Sequence, residues 1–168
     1  MKELNPRPAP KPLQEGVILF TVGGFRFAIA AGAVKEIRGL EGLNAFTLGG
    51  ISERVDKLRY TLERGGTTYF VVDASRHFRL AASSPGRVLV LRNSSTAVLV
   101  DSTDRMTDIS KLHALPNAFQ SDERTWYRGL AILNGEVVPV VNASAFLSAA
   151  EQDVLRAGLE GLHGAKVV

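Results

Sequence analysis

The chain has 168 residues, of which 45% are hydrophobic and 22% are charged. This length and composition predict one globular domain with a sizeable core and exclude wholesale disorder. A formal net charge of +3 is too small to indicate a nucleic-acid-binding protein, although the pI is 9.4. The absence of cysteine excludes disulfides, thiolate metal sites and cysteine nucleophiles, and it is typical of cytoplasmic proteins. The apolar runs are only strand-sized, so direct insertion into a membrane is not expected.

Residues 1–14 are rich in proline and lack apolar periodicity, which predicts a polyproline-like tail. Residues 17–29 then predict a hairpin, because an apolar run meets Gly23-Gly24 and an alternating apolar pattern follows. The N-terminal part of the domain should therefore begin with two paired strands.

The next segment, residues 31–38, carries Val34 and Ile37 three positions apart, which predicts one or two turns of helix. Residues 39–56 contain four glycines and no periodicity, so they predict a long loop with a short helix near residues 52–57. Connections of this length are often functional or mobile.

Residues 58–62 and 67–73 predict a second hairpin around Gly65-Gly66, and a short helix is expected at residues 76–80. A clear break at residues 83–86 then divides the chain into two halves.

The second half repeats this order of elements. The expected elements are a hairpin at 87–100, a segment at 101–109 in place of the first short helix, a long connector at 111–122 and a final hairpin at 126–141. Ser148 and Glu151 form a capping box that predicts a C-terminal helix to about Leu159, followed by a tail at 164–168. The buried stripe of this helix is predicted to consist of Ala150, Val154, Leu155 and Ala157.

An internal duplication underlies the repeated order. Residues 66–75 align with residues 135–144 at a constant offset of 69 residues, and each copy ends in Asp-Ala-Ser or Asn-Ala-Ser. Two such units, each short of strands, should bury their apolar faces against each other as paired small barrels. Pro139 cannot donate to a strand ladder, so it predicts a sheet edge or a bulge.

Signals of catalysis are weak throughout the chain. His77, His113 and His163 lie far apart without a second ligand at helical spacing, so surface or half-buried positions are expected rather than a metal site. No nucleophile–base pair and no phosphate-binding loop is recognisable. The sequence therefore predicts a protein that is not an enzyme and has no cofactor.

Three stretches, residues 19–37, 98–101 and 115–142, carry a resemblance to a known family. In their order and spacing the sequence resembles the chemotaxis coupling protein family, with a CheW-like domain at 15–163 whose lobes are intertwined. The resemblance implies a mainly β fold of two pseudo-repeated five-stranded β-barrel subdomains packed together, with short helices and a C-terminal helix. Four strands in each half are recognisable from the sequence itself.

The resemblance also implies where partners bind. Glu36 matches the family's receptor-facing glutamate, and Val34 lies beside it; the alternatives are a solvated charge and a core residue. The family's second hallmark is an Arg-Gly turn. Gly66 matches its glycine, Gly65 stands where the arginine is expected, and Arg64 lies one position early. The predicted protein-binding residues are therefore Val34, Glu36, Arg64 and Gly66.

As a family member, the chain would be a cytoplasmic, non-enzymatic adaptor in receptor arrays. It would couple the helical hairpin at a chemoreceptor's cytoplasmic tip to the regulatory domain of a histidine kinase. One alternative is a divergent member that has lost receptor coupling and serves as a structural subunit. Another is a small-barrel module for single-stranded nucleic acid that stacks bases on Phe25, Phe27, Tyr69 and Phe70. The small net charge argues against this alternative, so no nucleic-acid partner is expected.

Overall fold

The structure is a computed structural model that describes residues 14–46, 55–81, 83–119 and 121–165. Its strands are β1 (Glu15–Val22), β2 (Phe25–Ala30), β3 (Val34–Arg38), β4 (Leu43–Ala45), β5 (Leu58–Arg64), β6 (Thr67–Asp73), β7 (Arg87–Leu91), β8 (Thr96–Val100), β9 (Ser102–Ile109), β10 (Tyr127–Leu133) and β11 (Glu136–Val141). Its helices are α1 (Ala74–His77), α2 (Ser121–Trp126) and α3 (Ala149–Ala165), with short 3-10 turns at Ala31–Ala33 and Ala143–Ala145. Residues 1–13 of the predicted tail and residues 52–54 of the predicted short helix lie outside the described part of the chain.

The strands form two sheets. Sheet A has the order β10-β11-β2-β1-β9, and sheet B has the order β3-β7-β8-β6-β5-β4. The predicted mainly β fold with two subdomains is therefore confirmed. Among the described residues, no backbone ladder joins the two outer strands of either sheet.

The duplication is visible in the strand pairing. Val71 pairs in parallel with Ala97 in sheet B, and the residues at the 69-residue offset, Val140 and Ala28, pair in parallel in sheet A. Each sheet draws strands from both halves of the sequence, because β1 and β2 join the late strands β9, β10 and β11 while β7 and β8 join the early strands. The two copies have in effect exchanged their first hairpins.

The central core lies between the two sheets, and its side chains come from both. Its largest fully buried members are Phe20, Phe146, Ile29, Leu89 and Leu155. Burial of such side chains is the main favourable contribution to folding, at roughly 1.5–3 kcal/mol for each one. Each sheet also carries a smaller buried cluster on the face that points away from the central core.

Of the two alternatives predicted for Pro139, the sheet edge was wrong, because β11 lies between β10 and β2. An irregularity typical of a bulge does occur nearby, where the pairing of β10 with β11 shifts between Tyr127 and Gly129. Phe70 occupies the equivalent position in the first copy, and its backbone N–H donates to the carbonyl oxygen of Ser95 at 2.8 Å. Proline has no such donor. The ladder between β11 and β2 accordingly has a single paired position, at Val140 and Ala28, whereas four positions pair between β6 and β8.

The predicted helix at 31–38 was also wrong, since only Ala31–Ala33 is helical and Val34 begins β3. The pairing of β3 with β7 is irregular between Val34 and Glu36. An extra residue at such a bulge changes the alternation of side chains, so Val34 and Ile37 acquire a three-residue spacing that resembles a helix. The loop at 39–56 likewise contains β4, and the segment at 101–109 contains strand β9.

The Asp-Ala-Ser and Asn-Ala-Ser sequences form the same cap in both copies. The Asp73 carboxylate accepts hydrogen bonds from the backbone N–H and the hydroxyl of Ser75 at 3.0 and 2.7 Å. The Asn142 side-chain oxygen accepts from the same groups of Ser144 at 3.2 and 2.7 Å. These caps start a helical turn immediately after each strand, so α1 begins at Ala74 rather than at the expected Arg76.

The capping box of α3 is confirmed. The Ser148 backbone N–H donates to Glu151 Oε1 at 2.9 Å, and the Glu151 backbone N–H donates to Ser148 Oγ at 3.1 Å. The predicted stripe is narrower than expected, because Leu155 is buried while Ala150 and Ala157 are exposed. The reason is that Leu155 alone of these residues reaches the central core.

Candidate protein-binding site

Strand β3 forms one edge of sheet B and carries two of the predicted binding residues. Val34 is 6% exposed, pairs with Leu91 and belongs to the central core. Its environment is that of a core residue. A partner would therefore meet the neighbouring side chains of β3 rather than Val34 itself.

Glu36 and Arg64 form a bidentate ion pair. Arg64 donates from Nε to Glu36 Oε2 at 3.1 Å and from Nη2 to Glu36 Oε1 at 2.9 Å. The side chains are 30% exposed for Glu36 and 53% exposed for Arg64. Such a partly exposed pair stabilises the fold by no more than about 1 kcal/mol. It nevertheless places a fixed carboxylate and a guanidinium at the surface, and Nη1 of the guanidinium donates to none of the described residues.

The turn at Gly65 and Gly66 places Arg64 at the end of β5. Gly65 and Gly66 have φ values of +58° and +79°, a left-handed conformation that glycine adopts without strain. Arg64 pairs with Thr67 as the last residue of the ladder, and from there its side chain reaches Glu36 on β3. The arginine that stands one position early in the sequence is thus the one that meets the glutamate.

Two exposed apolar residues, which the sequence did not single out, lie near this ion pair along the chain. Ile37, directly after Glu36, is 42% exposed, and Leu40 is 41% exposed. The three-residue spacing of Val34 and Ile37 predicts a helix, which hides the position of Ile37 on an edge strand. Neighbouring residues of a strand point to opposite faces, and Glu36 accordingly pairs with Val90 while Ile37 pairs with Leu89. The ion pair and Ile37 are therefore exposed on opposite faces of this edge strand.

His77 lies in a second, more polar region, which borders a cavity of about 300 Å³. The expectation of a surface or half-buried position was wrong, because His77 is only 5% exposed and packs against Phe78, Trp126 and Phe146. Lys57 donates to His77 Nδ1 at 3.2 Å and forms an ion pair with Glu151 Oε1 at 3.0 Å. Burial and the nearby Lys57 ammonium lower the pKa of His77 from 6.5 to about 3.

The low pKa of His77 predicts that acid destabilises the fold. Below pH 6.5 the unfolded chain binds a proton that the folded chain does not bind until about pH 3, so the stability is fully present above pH 6.5 and falls as the pH drops. Between pH 7 and pH 5 the free energy of unfolding should decrease by about 2 kcal/mol from this group. Denaturant titrations of the wild type and of His77→Gln should show a smaller decrease in the variant. An equal decrease in both proteins would contradict the assignment to His77.

The described residues give little support for a metal site or for a nucleic-acid-binding site. Among the residues that the structure describes, no group of three His, Asp or Glu side chains is placed to hold a metal ion. Of the four aromatics considered for base stacking, Phe27, Tyr69 and Phe70 are 4–7% exposed and only Phe25 is on the surface. Bases can stack only on exposed rings. Three of the four aromatic residues that suggested nucleic-acid binding are therefore not available for it.

Comparison with known proteins agrees with the fold. The family model described as CheW-like domain matches residues 16–151. Among solved structures, the chain is similar to the scaffolding protein TtCheW from Thermoanaerobacter tengcongensis, with a TM-score of 0.69 at 9% sequence identity, over 90% of this chain and 96% of that one. No curated protein matches the sequence.

The family match covers most of the chain, which therefore belongs to the CheW-like domain family, a family of scaffold and adaptor proteins of chemotaxis signalling. The likeness to TtCheW supports the fold. Within the described ranges, no helix is both long enough and apolar enough to cross a bilayer.

Proposed function

We propose that this protein is a cytoplasmic, non-enzymatic adaptor that couples the cytoplasmic tips of chemoreceptors to a histidine kinase in receptor arrays. The receptor's helical hairpin would bind at the Glu36–Arg64 ion pair, and the kinase would bind through its regulatory domain. Family membership supports the adaptor class. The single observation that carries the receptor site is the bidentate contact between Glu36 and Arg64, two residues selected by family resemblance and 28 positions apart in the sequence.

The geometry of the pair suits a binding role better than a purely structural one. Its contribution to stability is small because both side chains are partly exposed. Each member, however, fixes the other's position, so neither has to be ordered when a partner arrives. Complementary charges of this kind determine specificity and register at interfaces.

The change Glu36→Lys is expected to weaken binding of a receptor cytoplasmic fragment by at least about tenfold, or 1.4 kcal/mol, because it places a second cation beside Arg64. The melting temperature should remain nearly unchanged. Isothermal titration calorimetry and thermal melts would check both expectations. Equal affinity of the variant and the wild type would remove Glu36 from the site.

Sheet A provides a matched control for this variant. Arg128 donates from Nη1 and Nη2 to Glu15 Oε1 and Oε2 at 2.8 and 2.9 Å, another bidentate pair whose side chains are partly exposed. The change Glu15→Lys should leave receptor binding intact. If Glu15→Lys weakens receptor binding as much as Glu36→Lys does, the weaker binding results from the change in net charge and not from the loss of a specific contact at Glu36.

Exchange of the two charges distinguishes an ion pair that contacts the receptor from one that only maintains the shape of the binding surface. The double variant Glu36→Arg with Arg64→Glu can rebuild the ion pair but reverses the charges that a partner meets. If the pair contacts the receptor, binding should stay weak. Recovery of wild-type affinity would mean that the pair only maintains the shape of the surface.

The structural-subunit alternative predicts a different outcome for the wild type. Such a protein would bind the kinase regulatory domain but not the receptor fragment. Binding of neither partner would contradict both functions.

A further inference from the structure

Three large apolar side chains form an exposed row across sheet A, which we call the apolar row: Ile132 on β10, Val137 on β11 and Phe25 on β2. Ile132 and Val137 are direct cross-strand partners. The parallel pairing of Val140 with Ala28 places Val137 level with Phe25. Their exposed fractions are 56% for Ile132, 57% for Val137 and 60% for Phe25.

The apolar row is continuous with the interface between the two sheets. Every second residue of a strand shares a face, so Phe25 shares its face with Phe27, and Val137 shares its face with Val141. Phe27 and Val141 are 4% and 1% exposed and both belong to the central core. The row is therefore an uncovered extension of that core's surface.

The duplication shows what lies at the equivalent place on sheet B. At the 69-residue offset the row corresponds to Glu63, Thr68 and Ser94. Thr68 and Ser94 line a cavity of about 460 Å³, and Leu155 and Arg156 of α3 line the same cavity. The equivalent surface on sheet B thus borders the same cavity as a helix of the same chain.

Sheet A has no such helix from the first copy. In the second copy the turn at Ala143–Ala145 leads into α3. In the first copy the equivalent α1 is followed by residues 78–86 and then directly by β7, and the described residues 78–81 and 83–86 of this segment are not helical. Within the described residues, the first copy therefore supplies no helix beside sheet A that would correspond to α3 beside sheet B.

We propose that the apolar row is a docking site for an amphipathic α-helix of a partner protein. The row presents side chains from the faces of three strands, which suits a helix laid across them better than an added strand at the sheet edge. Because these positions are apolar where sheet B is polar, the incoming helix must present apolar residues. Residues at i and i+4 of that helix are spaced about 6 Å apart, close to the roughly 4.8 Å between the strands that carry the row.

A synthetic peptide of residues 148–165 that carries Gln152→Leu and Arg156→Leu is a suitable probe, since it is the α3 sequence with apolar residues at two positions that line the cavity beside Thr68 and Ser94. The full chain should bind this peptide in fluorescence anisotropy. A variant with Phe25→Ser, Ile132→Glu and Val137→Thr gives the row the residues of sheet B, and its affinity should be at least about tenfold lower. The nearly isosteric Val137→Thr alone should weaken binding in the same direction. Circular dichroism and a thermal melt would establish that the peptide is helical and that the variants fold.

Four results would overturn the proposal. Absence of binding, or equal binding by the wild type and the triple variant, would show that the row does not receive the helix. Stronger peptide binding after removal of residues 1–13 would identify the chain's own N-terminal segment as the occupant. A wild-type dimer in analytical ultracentrifugation that dissociates in the triple variant would identify a second copy instead.

Discussion

Replacement of Phe27 by alanine is expected to lower the free energy of unfolding by about 4 kcal/mol, as is typical of a buried phenylalanine. Phe27 is 4% exposed, and its ring stacks on Phe78 at 4.5 Å and on Phe20 at 5.5 Å between the centroids. These three rings come from β2, from the end of α1 and from β1, so the cavity would open between the two sheets. Urea titration of wild type and variant would measure the change.

Phe25 provides the control for this prediction. It lies two residues away on the same strand but is 60% exposed. The change Phe25→Ala should therefore alter the free energy of unfolding by no more than about 0.5 kcal/mol. Similar losses in the two variants would mean that the central core is not organised around Phe27.

Replacement of Gly129 by alanine is expected to destabilise the fold by about 3 kcal/mol through overpacking and the loss of backbone hydrogen bonds. A Cβ atom at Gly129 would lie 2.5 Å from the backbone oxygen of His113 and 2.7 Å from Leu112 Cγ. The connector there is held by two hydrogen bonds between His113 and Leu130, at 2.8 and 2.9 Å. Relief of the clash requires displacement of this connector.

Gly32 is the matched control, because a Cβ atom added there meets nothing within 4 Å. The change Gly32→Ala should be neutral or slightly stabilising. Thermal melts of the two variants would test the contrast. A nearly unchanged melting temperature for Gly129→Ala would show that the connector moves at little cost.

Much of the fold could be predicted from the sequence because the hairpins carry strong local signals. Residues 66–75 and 135–144 share a turn and a β-branched run, and the structure confirms the strands of both copies. Their common Asp/Asn-Ala-Ser ending forms a helix cap in both copies, which was not predicted. These features depend on neighbours along the chain. The same locality explains the correct prediction of the capping box at Ser148.

The strands that were missed, β3, β4 and β9, lack that local signal. β3 and β9 are outer strands of their sheets, and β9 exposes most of its side chains. A strand with one covered edge and a solvated face needs few apolar residues. In β3, the bulge after Val34 also interrupts the alternation of buried and exposed residues that would indicate a strand.

The candidate site was only partly predictable. Glu36, Arg64 and Gly66 were identified by resemblance to a family, but their proximity depends on how β3 and β5 are arranged within sheet B. The apolar row was not predicted either, since Phe25 and Ile132 read as ordinary strand residues. The exposure of these side chains depends on the packing around sheet A, which the strand pattern does not reveal.

The adaptor function is tested most directly by a three-component retention experiment. A chemoreceptor cytoplasmic fragment is immobilised, and the kinase regulatory domain is added with or without this protein. The proposed coupling predicts that the kinase domain is retained only when the protein is present, and that Glu36→Lys abolishes most of the retention while Glu15→Lys does not. Failure of the wild-type protein to retain the kinase domain on the receptor would contradict the proposed function.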